Sequence, residues 1–254
     1  LTDADYNVAV GVGALDLDTK GSKSTAIGYD ALSTQNFTSS TDSYNTAVGF
    51  SAGKSVTTGK ENVIIGGNAG DALTDADYNV ALGYASLSGD TKGSKSTAIG
   101  YGTLINQNFT SATDTNNTAV GYYAGVSITT GTNNTFVGAE SGGATDDGGN
   151  NVAVGKSALS ANCGDNNTAI GLEALRDTTS SLNTAIGKNS GNAITSGSKN
   201  TIVGSYTGNA GSLDIRTLSN RIVLSDGDGN PRGIFDGDGT FLVGETSASD
   251  VTNG

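Results

Sequence analysis

A five-residue phrase returns twelve times along this chain and constrains its fold more than any other feature. It reads NVAVG from Asn7, STAIG from Ser24, NTAVG from Asn45, NVIIG from Asn62, NVALG from Asn79 and STAIG from Ser96. It continues as NTAVG from Asn117, NTFVG from Asn134, NVAVG from Asn151, NTAIG from Asn167 and Asn183, and NTIVG from Asn200. Most copies lie 17 residues apart and two steps are 16; the steps from Ser24 to Asn45 and from Ser96 to Asn117 are 21, one coil plus a four-residue insertion. Self-similarity at so short a period predicts a solenoid whose coils stack on their neighbours. Thr or Val at the second position and Val, Ile or Leu at the fourth are strand formers. The fifth residue is Gly in every copy, from Gly11 to Gly204, which suits a corner that no Cβ can obstruct.

A longer period overlies the coils. LTDADYNVA begins at Leu1 and Leu73, and TKGSKSTAIGY at Thr19 and Thr91, so four coils make one super-repeat. Eight residues after each phrase begins, two coils carry Leu and the next two Gly: Leu15, Leu32, Gly53, Gly70, Leu87, Leu104, Gly125, Gly142, Leu159, Leu175, Gly191 and Gly208. Where Gly stands, an apolar residue follows three places later as Val56, Leu73, Ile128 or Ile194, whereas the Leu coils hold Asp18, Gln35, Asp90, Gln107, Asn162 or Thr178 there. One large side chain per coil, supplied from either of two corners, is the volume rule this implies. The coils at Asn134 and Asn200 break it, with Thr145 and Gly211 in that place.

Alternation along an extended phrase turns neighbouring side chains to opposite faces. With Val10, Ile27 and Val48 assigned to the interior, the third position faces out as an apolar stripe: Ala9, Ala26, Ala47, Ile64, Ala81, Ala98, Ala119, Phe136, Ala153, Ala169, Ala185 and Ile202. A stripe of this kind marks an interface, here a seam between chains. Asn at the head of ten phrases is expected to stack as side-chain amide ladders between coils.

The phrases NTAVG, STAIG and NVAVG resemble the head repeats of trimeric autotransporter adhesins over about residues 7–208. That resemblance implies a left-handed parallel β-roll associating in threes. After residue 211 the repeat gives way to short β-type runs separated by DGDGN and DGDGT, both turn-like. The residues IVLSDGDGNPRGIFDGDGTFLVG resemble the segment of phage tail fibres that precedes a C-terminal tip or chaperone domain. The expected architecture is all-β: a parallel β-solenoid of about twelve coils over residues 1–211, homotrimeric, then a hairpin-rich segment over 212–254. The expected partners are two further copies of the chain, other tail or fibre proteins and host surface glycan. The resemblance implies an extracellular virion tail fibre, with a bacterial surface adhesin as the alternative.

Composition narrows the chemistry. The formal net charge of -12 disfavours nucleic acid as a partner, because no basic excess is available to displace condensed cations. No run of about 18 apolar residues is present, so no membrane-inserted helix is expected. There is no His, which removes Ser-His and Cys-His pairs, and Cys163 is alone, so no intrachain disulfide forms and it reads as an incidental small residue. No catalytic residue, cofactor or metal site is expected. A calcium loop at Asp226 and Asp228, or at Asp236 and Asp238, is disfavoured because Pro231 and Gly237, or Phe241 and Ser247, stand where an EF-hand needs Gly and Glu. A polysaccharide depolymerase needs two carboxyls set at a defined separation, and the carboxylates are scattered through turns. An ice-binding solenoid needs a regular Thr array, and pairs such as those at Thr57 and Thr129 recur too rarely.

Binding has two sequence candidates. One residue after the corner Gly stand Tyr29, Phe50, Tyr84, Tyr101 and Tyr122, which either stack on one another to secure coil register or hold sugar rings. The insertions QNFTSSTDS from Gln35 and QNFTSATDT from Gln107 are expected to project and to present Phe37 and Phe109, as receptor contacts or as a duplicated structural part.

Overall fold

A computed structural model describes residues 4–210 and 213–243. Its regular elements are all strands, and the chain divides into two compact units, Leu1–Asn134 and Thr135–Gly254. In the first unit the phrases form strands Val8–Val10, Thr25–Ile27, Thr46–Val48, Val63–Ile65, Val80–Leu82, Thr97–Ile99 and Thr118–Val120. Each pairs in parallel with the next, phrase on phrase: Ala26 lies opposite Ala47, and Ala47 opposite Ile64. In the second unit Thr135–Val137, Val152–Val154, Thr168–Ile170, Thr184–Ile186 and Thr201–Val203 stack in the same way. The fold is a parallel β-solenoid of about 13 turns.

The solenoid runs past the boundary expected at residue 211. Ile222–Ser225 adds another parallel strand on Thr201–Val203, and the Arg221 N–H donates to Asn200 Oδ1 at 3.0 Å, as the phrase Asn does elsewhere. Pro231–Phe235 and Phe241–Val243 then continue that sheet antiparallel, the hairpin segment that DGDGN and DGDGT announce. Leu1, Gly211 and residues 244–254 lie outside the described residues.

Phrase corners place Gly against Gly, as Gly11 on Gly28 and Gly187 on Gly204, until the last, Gly204, which meets Ser225. Gly66 has φ +138, and a Cβ there would lie 2.6 Å from the Gly83 carbonyl carbon. Both the backbone conformation and the approach of the neighbouring coil therefore require glycine. The Leu-or-Gly position is also left-handed in both versions: Gly53 and Gly70 have φ +58 and +49, and Leu32 and Leu87 have +49 and +54. A left-handed Leu costs about 1–2 kcal/mol, which the burial of its side chain, about 1.5–3 kcal/mol, offsets.

The third-position row faces inward, which corrects the expected seam. Ala26, Ala47, Ile64, Ala81, Ala98 and Ala119 in the first unit, and Phe136, Ala153, Ala169, Ala185 and Ile202 in the second, are each 0% exposed within a single chain; Ala9, in the first coil, stays exposed. The outward face carries the fourth position instead. The reason is space: where the corner carries Leu, as at Leu32 or Leu87, the inward residue is Ala, and a larger inward residue, Ile64, Phe136 or Ile202, stands only where that corner is Gly. This orientation also explains the coils that broke the volume rule. Phe136 fills the coil that has Gly142 and Thr145, and a Cβ on Gly142 would meet its ring at 2.5 Å. Ile202, with the fully buried Tyr206, fills the last phrase coil. Elsewhere Leu15, Leu32, Leu87, Leu104, Leu159 and Leu175 alternate with Val56, Leu73, Ile128 and Ile194 in the core. Cys163 is a core residue too, its Sγ 3.3 Å from Thr145 Oγ1, while Asn162 is exposed.

The phrase asparagines close each coil rather than forming a simple amide ladder. Asn62 Nδ2 donates to the Ala76 carbonyl of its own coil at 2.8 Å, and Asn62 Oδ1 accepts the Asn79 N–H of the next at 2.9 Å. Asn79, Asn117, Asn151 and Asn183 hold equivalent carbonyls. Buried backbone groups at a corner are thereby satisfied by one side chain per coil.

Candidate functional site

The aromatic row lies entirely in the first unit, carried at the sixth position of successive coils. Parallel stacking puts these side chains one coil spacing apart, about 4.8 Å, and the rings respond by stacking. Tyr29 and Phe50 lie 5.4 Å apart at 10°. Tyr84, Tyr101 and Tyr122 follow at 5.3 Å and 5.7 Å, with planes 19° and 23° apart. Tyr123, at the seventh position and outside the expected row, meets Tyr101 edge-on at 5.3 Å and Tyr122 at 4.5 Å. The Tyr123 hydroxyl beside it pushes the Tyr101 phenol above its usual range. All five row residues remain about half exposed.

The geometry divides what sugar could use from what it could not. Between stacked partners a ring shows solvent only its edge, so the faces that matter are those at the ends of each stack. The row is broken once, at Gly67, between Phe50 and Tyr84.

Phe37 and Phe109 do not project; both are buried, which corrects the expectation for the insertions. Each insertion folds back on the preceding coil, with Thr41–Asp42 pairing Gly21–Ser22 and Thr113–Asp114 pairing Gly93–Ser94. The Lys23 ammonium reaches Asp42 at 2.6 Å and Lys95 reaches Asp114 at 2.6 Å. Beneath them lies a buried polar cluster. Asp90 Oδ1 accepts the Gly93 and Phe109 N–H groups, each at 3.0 Å, and Asp90 Oδ2 accepts Gln107 Nε2 at 2.6 Å. Gln107 Oε1 in turn accepts Asn117 Nδ2 at 2.8 Å. Ser96 Oγ takes a further Gln107 bond at 2.9 Å, which gives STAIG its Ser: the shorter side chain leaves room for the glutamine. The insertions are thus seated by the coil core.

The fourth position of the phrase, expected inside, forms the outward row. In the first unit Ile27, Val48, Ile65, Leu82, Ile99 and Val120 face solvent, Leu82 being 42% exposed. In the second unit Val137, Val154, Ile170, Ile186, Val203 and Leu224 do the same. Beside each of these from Ile27 to Val203 stands a half-buried Thr or Val of the second position, and beside Leu224 the exposed Ile222.

The acidic turns bind themselves. Asp226 Oδ1 accepts the Asp228 and Asn230 N–H groups at 3.0 Å and 2.9 Å, and Oδ2 accepts Arg232 Nε at 2.9 Å. Arg232 holds the Asp226 carboxyl down at about 2. Asp236 Oδ1 caps Asp238 and Thr240 likewise. Among the described residues no helix is long and apolar enough to cross a membrane.

No protein-family model, curated protein or solved structure matches the chain.

Proposed function

We propose that this chain is a rigid, non-catalytic segment of an extracellular fibre, built from three copies, that spaces or presents contacts to a host surface. The observation that carries this reading is the outward row of Val, Ile and Leu on every coil. Apolar side chains repeated along one face of a sheet cost solubility unless they are covered, and a second and third copy of the same row are complementary to it by construction. A single narrow row favours several chains turned inward on a common axis. The likeness to trimeric adhesin heads supports three as their number, and the IVLSDGDGN segment favours a virion tail fibre. Other fibre proteins and host glycan are then the natural partners.

Light scattering of residues 1–254 under native conditions tests the assembly. A mass near three chains is the expected result. A stable, soluble single chain would remove the apolar row as an interchain seam and with it the fibre reading.

A further inference from the structure

We infer that the gap in the aromatic row above Gly67 is a binding slot for one neutral, gluco-configured pyranose ring. Gly67 sits where a ring stands in the coils on both sides, so Phe50 and Tyr84 face one another across two coil spacings, about 10 Å. A flat ring placed midway lies one stacking distance from each wall. A Cβ at Gly67 would meet only Tyr84 ring carbons, at 3.5 Å and 3.8 Å, and nothing within 4 Å on the Phe50 side. The Tyr84 ring thus lies in van der Waals reach of the Gly67 position, and the space on its Phe50 side is open. Phe50 is 59% exposed and Tyr84 51%, so both rings that border the gap are accessible.

The chemistry selects the occupant. Asn68 borders the slot, its backbone N–H bonded to the Phe50 carbonyl at 2.8 Å, and its half-buried side-chain amide makes no hydrogen bond among the described residues. An amide with free donor and acceptor suits vicinal hydroxyls. Two facing aromatic walls need a ligand with C–H groups on both faces, which a pyranose with all-equatorial hydroxyls provides and a galacto-configured one does not. The net charge of -12 disfavours a sialic acid or phosphorylated sugar. This inference rests on the adhesive part of the proposed function and names the glycan class.

Saturation-transfer NMR on the chain with methyl β-D-glucopyranoside and cellohexaose tests it. Transfer to protons on both sugar faces is expected, weaker for the galactoside and for sialyllactose. Gly67→Tyr continues the row into the gap with a backbone that accepts a side chain, so it is expected to keep the circular dichroism and thermal midpoint while weakening sugar binding by at least about tenfold; Tyr84→Ala weakens it through loss of a wall. Undiminished transfer in Gly67→Tyr, no transfer to any neutral pyranose, or preference for the sialylated sugar would overturn the slot. So would a drop in assembly mass with Gly67→Tyr, which would make the gap an interchain contact. Every slot residue belongs to one unit of one chain, so sugar binding by a monomer would sink the assembly alone, and a trimer that ignores sugar would sink the slot alone.

Discussion

Gln35 donates its side-chain amide to the buried Asp18 carboxylate at 2.7 Å, and Gln107 repeats the contact on Asp90 at 2.6 Å. In each case the carboxylate belongs to one coil and the amide to the next, the one that carries the four-residue insertion. Asp, Gln, Ser and insertion therefore form one set: the carboxylate needs donors, the glutamine provides one, and the serine clears its path. Replacing Gln35 with Ala leaves a buried carboxylate short of a donor and Asn45 Nδ2 short of an acceptor. The expected loss is about 2–4 kcal/mol, read as a lower urea midpoint. A double-mutant cycle with Asp18→Ala should show a coupling of about 1 kcal/mol or more.

The two apolar rows respond differently to charge. Leu82→Glu with Ile99→Glu, on the outward face, should reduce the scattering mass from three chains towards one while the far-ultraviolet circular dichroism persists. Ala98→Glu, on the inward face, should abolish the fold, since burying a carboxylate in the fully enclosed position of Ala98 is unfavourable by several kcal/mol. Equal loss of fold from both would contradict the assignment of faces.

Gly66→Ala combines a strained φ with an overlap on the Gly83 carbonyl. A destabilisation of about 1–3 kcal/mol from the backbone alone is expected, with the overlap adding to it, as a fall in thermal midpoint. Gly67→Ala, one residue on, has no such φ and is expected to be nearly neutral.

The Asp226 carboxyl titrates at about 2 in the folded chain because Arg232 and the Asn230 N–H bind its charged form. A depressed folded value means the turn is favoured above the ordinary carboxyl range, near 3.9, and loses that advantage as pH falls through about 2. The Asn230 amide resonance should follow this titration, and Arg232→Ala should move its midpoint upward.

Cys163 is buried, and burial pushes its thiol pKa up. The thiolate is the reactive form, so alkylation by iodoacetamide at pH 8 is expected only after denaturation. Labelling of the native chain at the denatured rate would contradict its place in the core.

The twelve phrases by themselves determined the strands, their parallel stacking, the glycine corners and the exchange of Leu32 for Val56 as core filler, because each depends on period, backbone conformation and volume, all local quantities. They did not determine which face of the strand is inside. Alternation fixes that Ala26 and Ile27 point opposite ways, yet both are apolar, and only the tertiary packing decides that Ala26 goes in, since the coil's width admits Ala beside Leu32 and excludes Ile. Ile64, Phe136 and Ile202 were the signal in the sequence: large residues enter the Ala row only where the corner position is Gly, at Gly70, Gly142 and Gly208. An insertion read locally is expected to project, whereas the Phe109 backbone is held by the Asp90 carboxylate a coil away. The slot above Gly67 was visible as a missing aromatic, but its two facing walls exist only because parallel stacking brings residues 50 and 84 to either side of residue 67.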